Sequence, residues 1–206
     1  MKLTLQTFLT LDGVMQAPGG PDEDPDGHFE HGGWSFTYGD QDFGAAVVTW
    51  MGQAGAFLLG RKTYQIFAGY WPNVTDPDNP IASPLNALPK YVASTTLTTV
   101  DWNSSTLLGG DVAAEVAKLK ERPGRELQVH GSGELAQTLI DADLVDEYRL
   151  CYFPVHLGTG KKLFRDGNPA RSLKLLNTRA TSNGVIISSY KPDGPARYGS
   201  YAEESS

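Results

Sequence analysis

The chain has 206 residues, 40% hydrophobic and 20% charged, with a formal net charge of −7. That length suits one domain around one core. The acidic balance argues against a nucleic-acid backbone or an anionic membrane surface as partner, because both select a basic face.

In chain order, residues 2–9 read as a first, apolar strand. Asp12-Gly13 then opens a loop over 12–39 that is rich in glycine, proline and acids. It follows a strand end directly, where ligands bind in α/β sheets. Gly32-Gly33-Trp34 closes it with an aromatic face on a flexible hinge. Residues 40–53 predict a helix, with Phe43, Val47, Trp50, Met51 and Ala54 at helical spacing and Asp40 as N-cap or Asp42 in the first turn. Ala56-Phe57-Leu58-Leu59 reads as a buried strand that Gly60 breaks, and Arg61-Lys62-Thr63 opens a short helix to about Gly69. Prolines crowd 71–89 and predict an irregular excursion there. Strands follow over 90–94 and 105–107, then a helix over 111–121 stopped by Pro123-Gly124. A strand over 126–130, a helix over 133–142 and a strand over 145–154 come next. The glycine loop 157–160 leads into 161–164. Strands over 173–181 and 185–190 flank Ser182-Asn183-Gly184, a hairpin signal. One domain over 1–191 and a polar, flexible tail over 192–206 complete the organisation. The alternation predicts a three-layer α/β fold, with a mostly parallel central sheet, helices on both faces and an antiparallel C-terminal hairpin.

Two stretches carry chemistry. A strand that runs into a helix through glycine leaves backbone N–H groups free at the helix N-terminus, an anion site favoured by the helix dipole. Gly60-Arg61-Lys62-Thr63 is one such turn, and its two cations and hydroxyl suit a phosphate. Gly131-Ser132-Gly133-Glu134 is a second. Together they predict a grip on the two phosphates of a pyrophosphate from opposite sides. The alternative for each turn is a plain strand–turn–helix with solvated side chains. His130, at a strand end before the second turn, faces a cofactor or is a hydrogen-bonded core histidine. Gly131-x-Gly133-x-x-Ala136 fits a Rossmann fingerprint loosely, but no acid ends the next strand. Gly158-Thr159-Gly160-Lys161-Lys162 lacks P-loop spacing, and its lysines read as solvated turn cations. His28 and His31 lack a third metal ligand. Cys151 is the one cysteine. It excludes an internal disulfide and reads as a buried small hydrophobe. With no signal-peptide block near Met1 and no apolar run of membrane-spanning length, the sequence predicts a soluble cytoplasmic protein.

Leu11-Asp12-Gly13, Leu59-Gly60-Arg61-Lys62-Thr63-Tyr64, Val92-Ala93-Ser94, Gly131-Ser132-Gly133-Glu134-Leu135 and 154–164 together resemble the dihydrofolate reductase superfamily. Within it they are most similar to the C-terminal reductase domain of riboflavin biosynthesis (RibD) and its stand-alone bacterial relatives. The resemblance runs from about Leu3 to Tyr190. It implies an NADPH-dependent reductase of a small heterocyclic or sugar-like substrate, similar to 5-amino-6-(5-phosphoribosylamino)uracil reductase. The alternatives are a non-catalytic NADP(H)-binding protein and a dihydrofolate reductase. It implies that Gly60, Arg61, Lys62 and Thr63 hold a cofactor phosphate. Gly131, Ser132, Gly133 and Glu134 would lie against the pyrophosphate and nicotinamide. Ser94 and Thr95 would lie near the adenosine, where relatives often carry Ser-Arg and an arginine would pair with a 2′-phosphate. The catalytic candidates are Asp42 as the acid after the first long loop, Asp12, and Trp34 on a loop able to close over the nicotinamide. Asp42 and Asp12 have competing readings as a helix-capping and a turn residue. Trp34 and Trp71 are candidates to sandwich a planar substrate. The family analogy also implies a possible homodimer through the late antiparallel strands.

Overall fold

Strand β1, Leu3–Thr10, runs through the middle of the sheet, and its side chains alternate between two different environments. Leu3, Leu5 and Leu9 are fully buried against one layer, while Gln6 and Phe8 face the other. A strand buried on both sides needs helices on both faces, and parallel neighbours need crossovers to supply them. The computed structural model describes residues 1–201 and shows this arrangement.

Crossovers α1 (Gln41–Met51), α2 (Arg61–Tyr70) and α3 (Ala82–Ala87) cover one face. Ala46, Met51, Tyr64 and Leu85 supply their buried side chains. Helices α4 (Val112–Glu121) and α5 (Gly133–Asp141) cover the other, burying Val116, Leu119, Leu135 and Leu139. The remaining strands are β2 (Ala54–Gly60), β3 (Lys90–Ala93), β4 (Ser105–Leu108), β5 (Glu126–His130), β6 (Glu147–Phe153), β7 (Arg171–Ala180) and β8 (Ile186–Pro195). The spatial order is β4-β3-β2-β5-β1-β6-β8-β7. Every pair from β4 to β6 is parallel, and the last two strands add an antiparallel hairpin. The predicted fold class is therefore the observed one. Among the described residues no helix is long and apolar enough to cross a membrane.

Two local expectations are corrected. The proline-rich 71–89 stretch contains α3, because Pro84 falls in its first turn, where no intrahelical N–H is required. The carboxamide oxygen of Asn79 accepts from the Ile81 and Ala82 N–H groups just ahead of it. At the other end, the tail expected from 192 begins inside β8. The strand continues to Pro195, paired with the start of β7 alone, so each proline sits on a ribbon whose other side is open. Residues 202–206 of that tail lie outside the described residues.

A polar knot underlies α1. Arg149, 4% exposed, holds Glu126 at 2.7 Å, Glu147 at 2.8 Å and the Gln53 carboxamide oxygen at 2.8 Å. Its guanidinium also lies 5.6 Å from the ring centre of Trp50. The Gln128 amide donates to the Trp50 carbonyl at 2.7 Å. The end of α1 is thus pinned to β5 and β6 by charge as well as by apolar contact.

Candidate active site

The parallel register brings four strand ends to one level. Gly60 is opposite Ala93, Leu58 opposite Val129, and Gln6 opposite His130. The two glycine turns, about seventy residues apart in sequence, therefore meet. They are joined directly: the Gly60 N–H donates to Ser132 Oγ at 3.0 Å, and the Ser132 N–H donates to Thr63 Oγ1 at 3.1 Å. Gly131 has φ +52° and Ser132 φ +55°, both left-handed. Glycine tolerates that conformation freely; a serine held there carries strain of about 1–2 kcal/mol, the kind stored at ligand sites.

Helices α2 and α5 start from these turns without a side-chain cap. By contrast, α1 and α4 begin away from the turns, and each has an aspartate cap: Asp40 accepts from Phe43 N–H and Asp111 from Ala114 N–H. The first-turn N–H groups of α2 and α5, without side-chain caps, meet where the two turns join, along one edge of a kind that suits an anion. The Arg61 side chain is exposed beside it and engages no protein acceptor.

A cleft of about 920 Å³ runs along this edge. Gly60, Arg61, Lys62, Thr63, Ser94, Thr95, Gly131, Ser132, Gly133 and Glu134 all line it. Ser94 Oγ accepts from the Thr96 and Leu97 N–H groups and shapes the turn after β3. Lys62 pairs with Asp24 at 2.8 Å and with Asp26. Lys161, read from sequence as a solvated cation, pairs with the same two carboxylates at 2.6 and 2.9 Å. This four-charge cluster fastens the 12–39 loop to α2 and to the segment after the 157–160 loop. Asp26 is held at about 2 by hydrogen bonds from Lys62 and then Lys161. For Asp24, burial acts upward but the same lysines outweigh it and lower its pKa.

None of the three catalytic candidates lines the cleft. Asp12 accepts from Thr10 Oγ1 at 2.5 Å and from the Gly158 N–H at 2.8 Å. These bonds outweigh burial and hold it at about 2, so it is an ionised loop anchor. Asp42 lies at the start of α1, where its carboxylate accepts from Ser182 Oγ at 3.3 Å and ties the helix to the C-terminal hairpin. Trp34 is buried, its indole N–H donating to the Gln16 carbonyl at 2.7 Å and its ring packing on Phe153. Trp71, the second candidate for stacking, does line the cleft.

Glu23, Gln6 and Thr7 also line the cleft and were not singled out by the sequence, whereas His130 was. Glu23 accepts from the Gly19 and Gly20 N–H groups, and burial raises its pKa despite them. It is the cleft carboxylate whose surroundings favour the protonated form, between neighbours that favour the ionised one. Gln6 and Thr7 each keep an unpartnered buried polar atom, Nε2 and Oγ1. The signal for Gln6 is a long polar side chain inside an otherwise apolar strand. His130 lines the cleft against Phe57 and Phe67, and burial and then Arg149 push its pKa to about 4. No group of three metal-ligating side chains exists among the described residues.

The RibD C-terminal domain model matches residues 1–187. The Bacillus subtilis protein YyaP is 32% identical over 195 residues, covering 94% of this chain and 96% of its own. A protein from Shewanella sp. PV-4 named for riboflavin biosynthesis has a solved structure that superposes with a TM-score of 0.65 at 22% identity, covering 94% of this chain and 99% of its own. A pyrimidine reductase-like protein from Corynebacterium diphtheriae gives 0.61 at 14% identity, covering 93% and 92%. The two solved structures are similar to this chain in fold.

Proposed function

The chain belongs to the RibD C-terminal domain family, and on that premise we propose that it is an NADPH-dependent reductase of a small heterocyclic or sugar-like substrate. The observation that carries this reading is the direct hydrogen-bonded junction of the two glycine turns, Gly60 to Ser132 and Ser132 to Thr63. It puts two uncapped helix N-termini and the unpaired Arg61 along one edge, a donor set that suits a diphosphate.

When bound, the nicotinamide would supply a hydride. The chain's own residues do the rest. First-turn N–H groups of α2 and α5 orient the phosphates, and Arg61 adds a full charge. The fastened 12–39 loop walls the cleft and keeps water out. Glu23, whose pKa burial raises, is the carboxyl group of that loop assigned to proton transfer to the substrate. His130 is neutral at pH 7 and contributes a hydrogen-bonding ring rather than a cation.

The test is a thermal-shift titration with NADPH, followed by NADPH oxidation assays with pyrimidine and pterin acceptors. Binding is expected, and Arg61→Ala is expected to weaken it by about 1.5–3 kcal/mol, the range for a hydrogen bond to a charged group. Glu23→Gln is expected to slow turnover while keeping NADPH affinity. No shift with NADPH would overturn the reading. The position of Asp12 and Asp42 outside the cleft favours a second reading, a dinucleotide-binding protein without turnover. Steady oxidation with any acceptor eliminates it.

A further inference from the structure

His130 is the last residue of β5, and the second glycine turn follows it directly. Its ring lies 5.6 Å from Phe57 and 6.4 Å from Phe67, centre to centre, and it lines the cleft. Two residues back, on the same face of the strand, is Gln128, which is fully buried and does not line the cleft. The two side chains meet: His130 Nε2 lies 3.3 Å from Gln128 Oε1.

The role of each atom in that contact follows from the groups behind Gln128. Its Nε2 donates to the Trp50 carbonyl at 2.7 Å and to a Glu126 carboxylate oxygen at 2.9 Å. A carbonyl and a carboxylate can only accept. Glu126 accepts from Arg149 as well, at 2.7 and 2.9 Å, so its charge is matched. Turning the carboxamide over would set Oε1 against both acceptors, and its orientation is therefore fixed by chemistry. Oε1 is then left facing His130 as an acceptor, and His130 Nε2 carries the hydrogen. Burial and Arg149 keep the ring neutral at pH 7, so its Nδ1 holds a bare lone pair. Among the described residues Nδ1 has no partner. Nor is it one of the buried unpartnered atoms, which are Thr4 Oγ1, Gln6 Nε2, Thr7 Oγ1 and Ser105 Oγ. It is open to the space that the ring lines.

We propose that Gln128 is a positioning residue that fixes His130 as the Nε2–H tautomer, so that Nδ1 stands in the cleft as an acceptor and selects ligands bearing an N–H or O–H donor. The proposal rests on the reading of the cleft as a ligand site and sets the polarity of one contact in it. A group that offers only acceptors there, such as an ether, meets lone pair with lone pair and leaves Nδ1 desolvated without a donor. The polar knot under α1 thereby acts on ligand choice through Gln128, although none of Glu126, Gln128 and Arg149 lines the cleft.

The test is long-range proton–nitrogen NMR of the nitrogen-15-labelled chain at neutral pH. The chain has four histidines, and the signals missing from His130→Phe identify His130. In wild type a single tautomer is expected, with a protonated Nε2 and a pyridine-type Nδ1. Folded Gln128→Met, which keeps the size and removes the acceptor, is expected to give signals averaged between the two tautomers. Phenol and anisole, a pair in which a methyl group replaces the hydroxyl hydrogen, then probe the lone pair. Phenol is expected to move the Nδ1 signal upfield, and anisole to leave it in place. An upfield move with NADPH alone supports the proposal with the donor on the cofactor's carboxamide; a move with phenol only supports it with the donor on the second reactant. A protonated Nδ1 or mixed tautomers in wild type overturns the proposal, and so does a single unchanged tautomer in folded Gln128→Met. No response to phenol, or an equal response to anisole, overturns it too. The wild-type spectrum decides the tautomer even where Gln128→Met does not fold. A missing NADPH thermal shift strikes the dinucleotide reading and leaves the tautomer result standing.

Discussion

At the scale of single residues, His130 shows how the site is tuned by its surroundings. Its folded pKa of about 4 lies below the unfolded value of about 6.5. Between those values the unfolded chain binds the extra proton, so stability is full above pH 6.5 and falls as pH drops toward 4. The loss has an upper bound of roughly 3.5 kcal/mol, at about 1.4 kcal/mol per pH unit. Urea denaturation at stepped pH should show wild type losing more stability than His130→Phe across that window; equal losses would remove His130 as the cause. Burial of His130 among Phe57, Phe67 and β1 is a tertiary property, and the sequence left its role open between cofactor contact and core. Asp12 and Asp42 were drawn toward catalysis by their chain position, yet each is held by backbone or hydroxyl donors from segments more than a hundred residues away. No local signal reports such partners. The position of Arg61 and the glycines at two strand-to-helix turns was legible, because such turns are built from adjacent residues.

At the scale of elements, the polar knot under α1 is the joint most exposed to damage. Arg149→Ala would leave Glu126 and Glu147 facing each other in a largely buried site. Removing one partner of a buried pair typically costs about 3–5 kcal/mol. Chemical denaturation should show a loss of that size, and a loss below about 1 kcal/mol would mean that water or Gln53 compensates. Strand and helix periodicity placed β1 to β6 and four helices correctly, since each has a buried stripe at the expected spacing. Helix α3 escaped because proline density outweighed the fact that Pro84 needs no donor at its position. The extension of β8 escaped because Pro192 and Pro195 read as tail residues, whereas the open side of the ribbon accepts them.

At the scale of the molecule, the 12–39 loop is held down by its own Asp24 and Asp26, paired with lysines from two distant segments, Lys62 and Lys161. Exposed pairs are individually weak and sensitive to salt. The double substitution Asp24→Asn with Asp26→Asn should therefore free the loop without unfolding the domain. Hydrogen exchange of amides over 17–26 should quicken by about threefold or more, and added salt should bring wild type part of the way there. Unchanged exchange would mean that the loop is held by its apolar contacts, Phe29 and Trp34, instead. The sequence exposed the loop's length and its acids, but the pairing of Lys161 with those acids depends on where the sheet sets the 157–160 turn.

The meeting of α2 and α5 carries a mechanical implication. These helices belong to opposite outer layers, yet their first turns touch at a single rim of the sheet. An anion lodged there would act as a rivet driven through all three plies, reinforcing the hydrogen-bonded joint of Thr63 and Ser132 that already links the two outer layers. Occupancy would then be registered by the remotest surfaces of both helices, so that an empty and a loaded molecule breathe as two laminates of different stiffness.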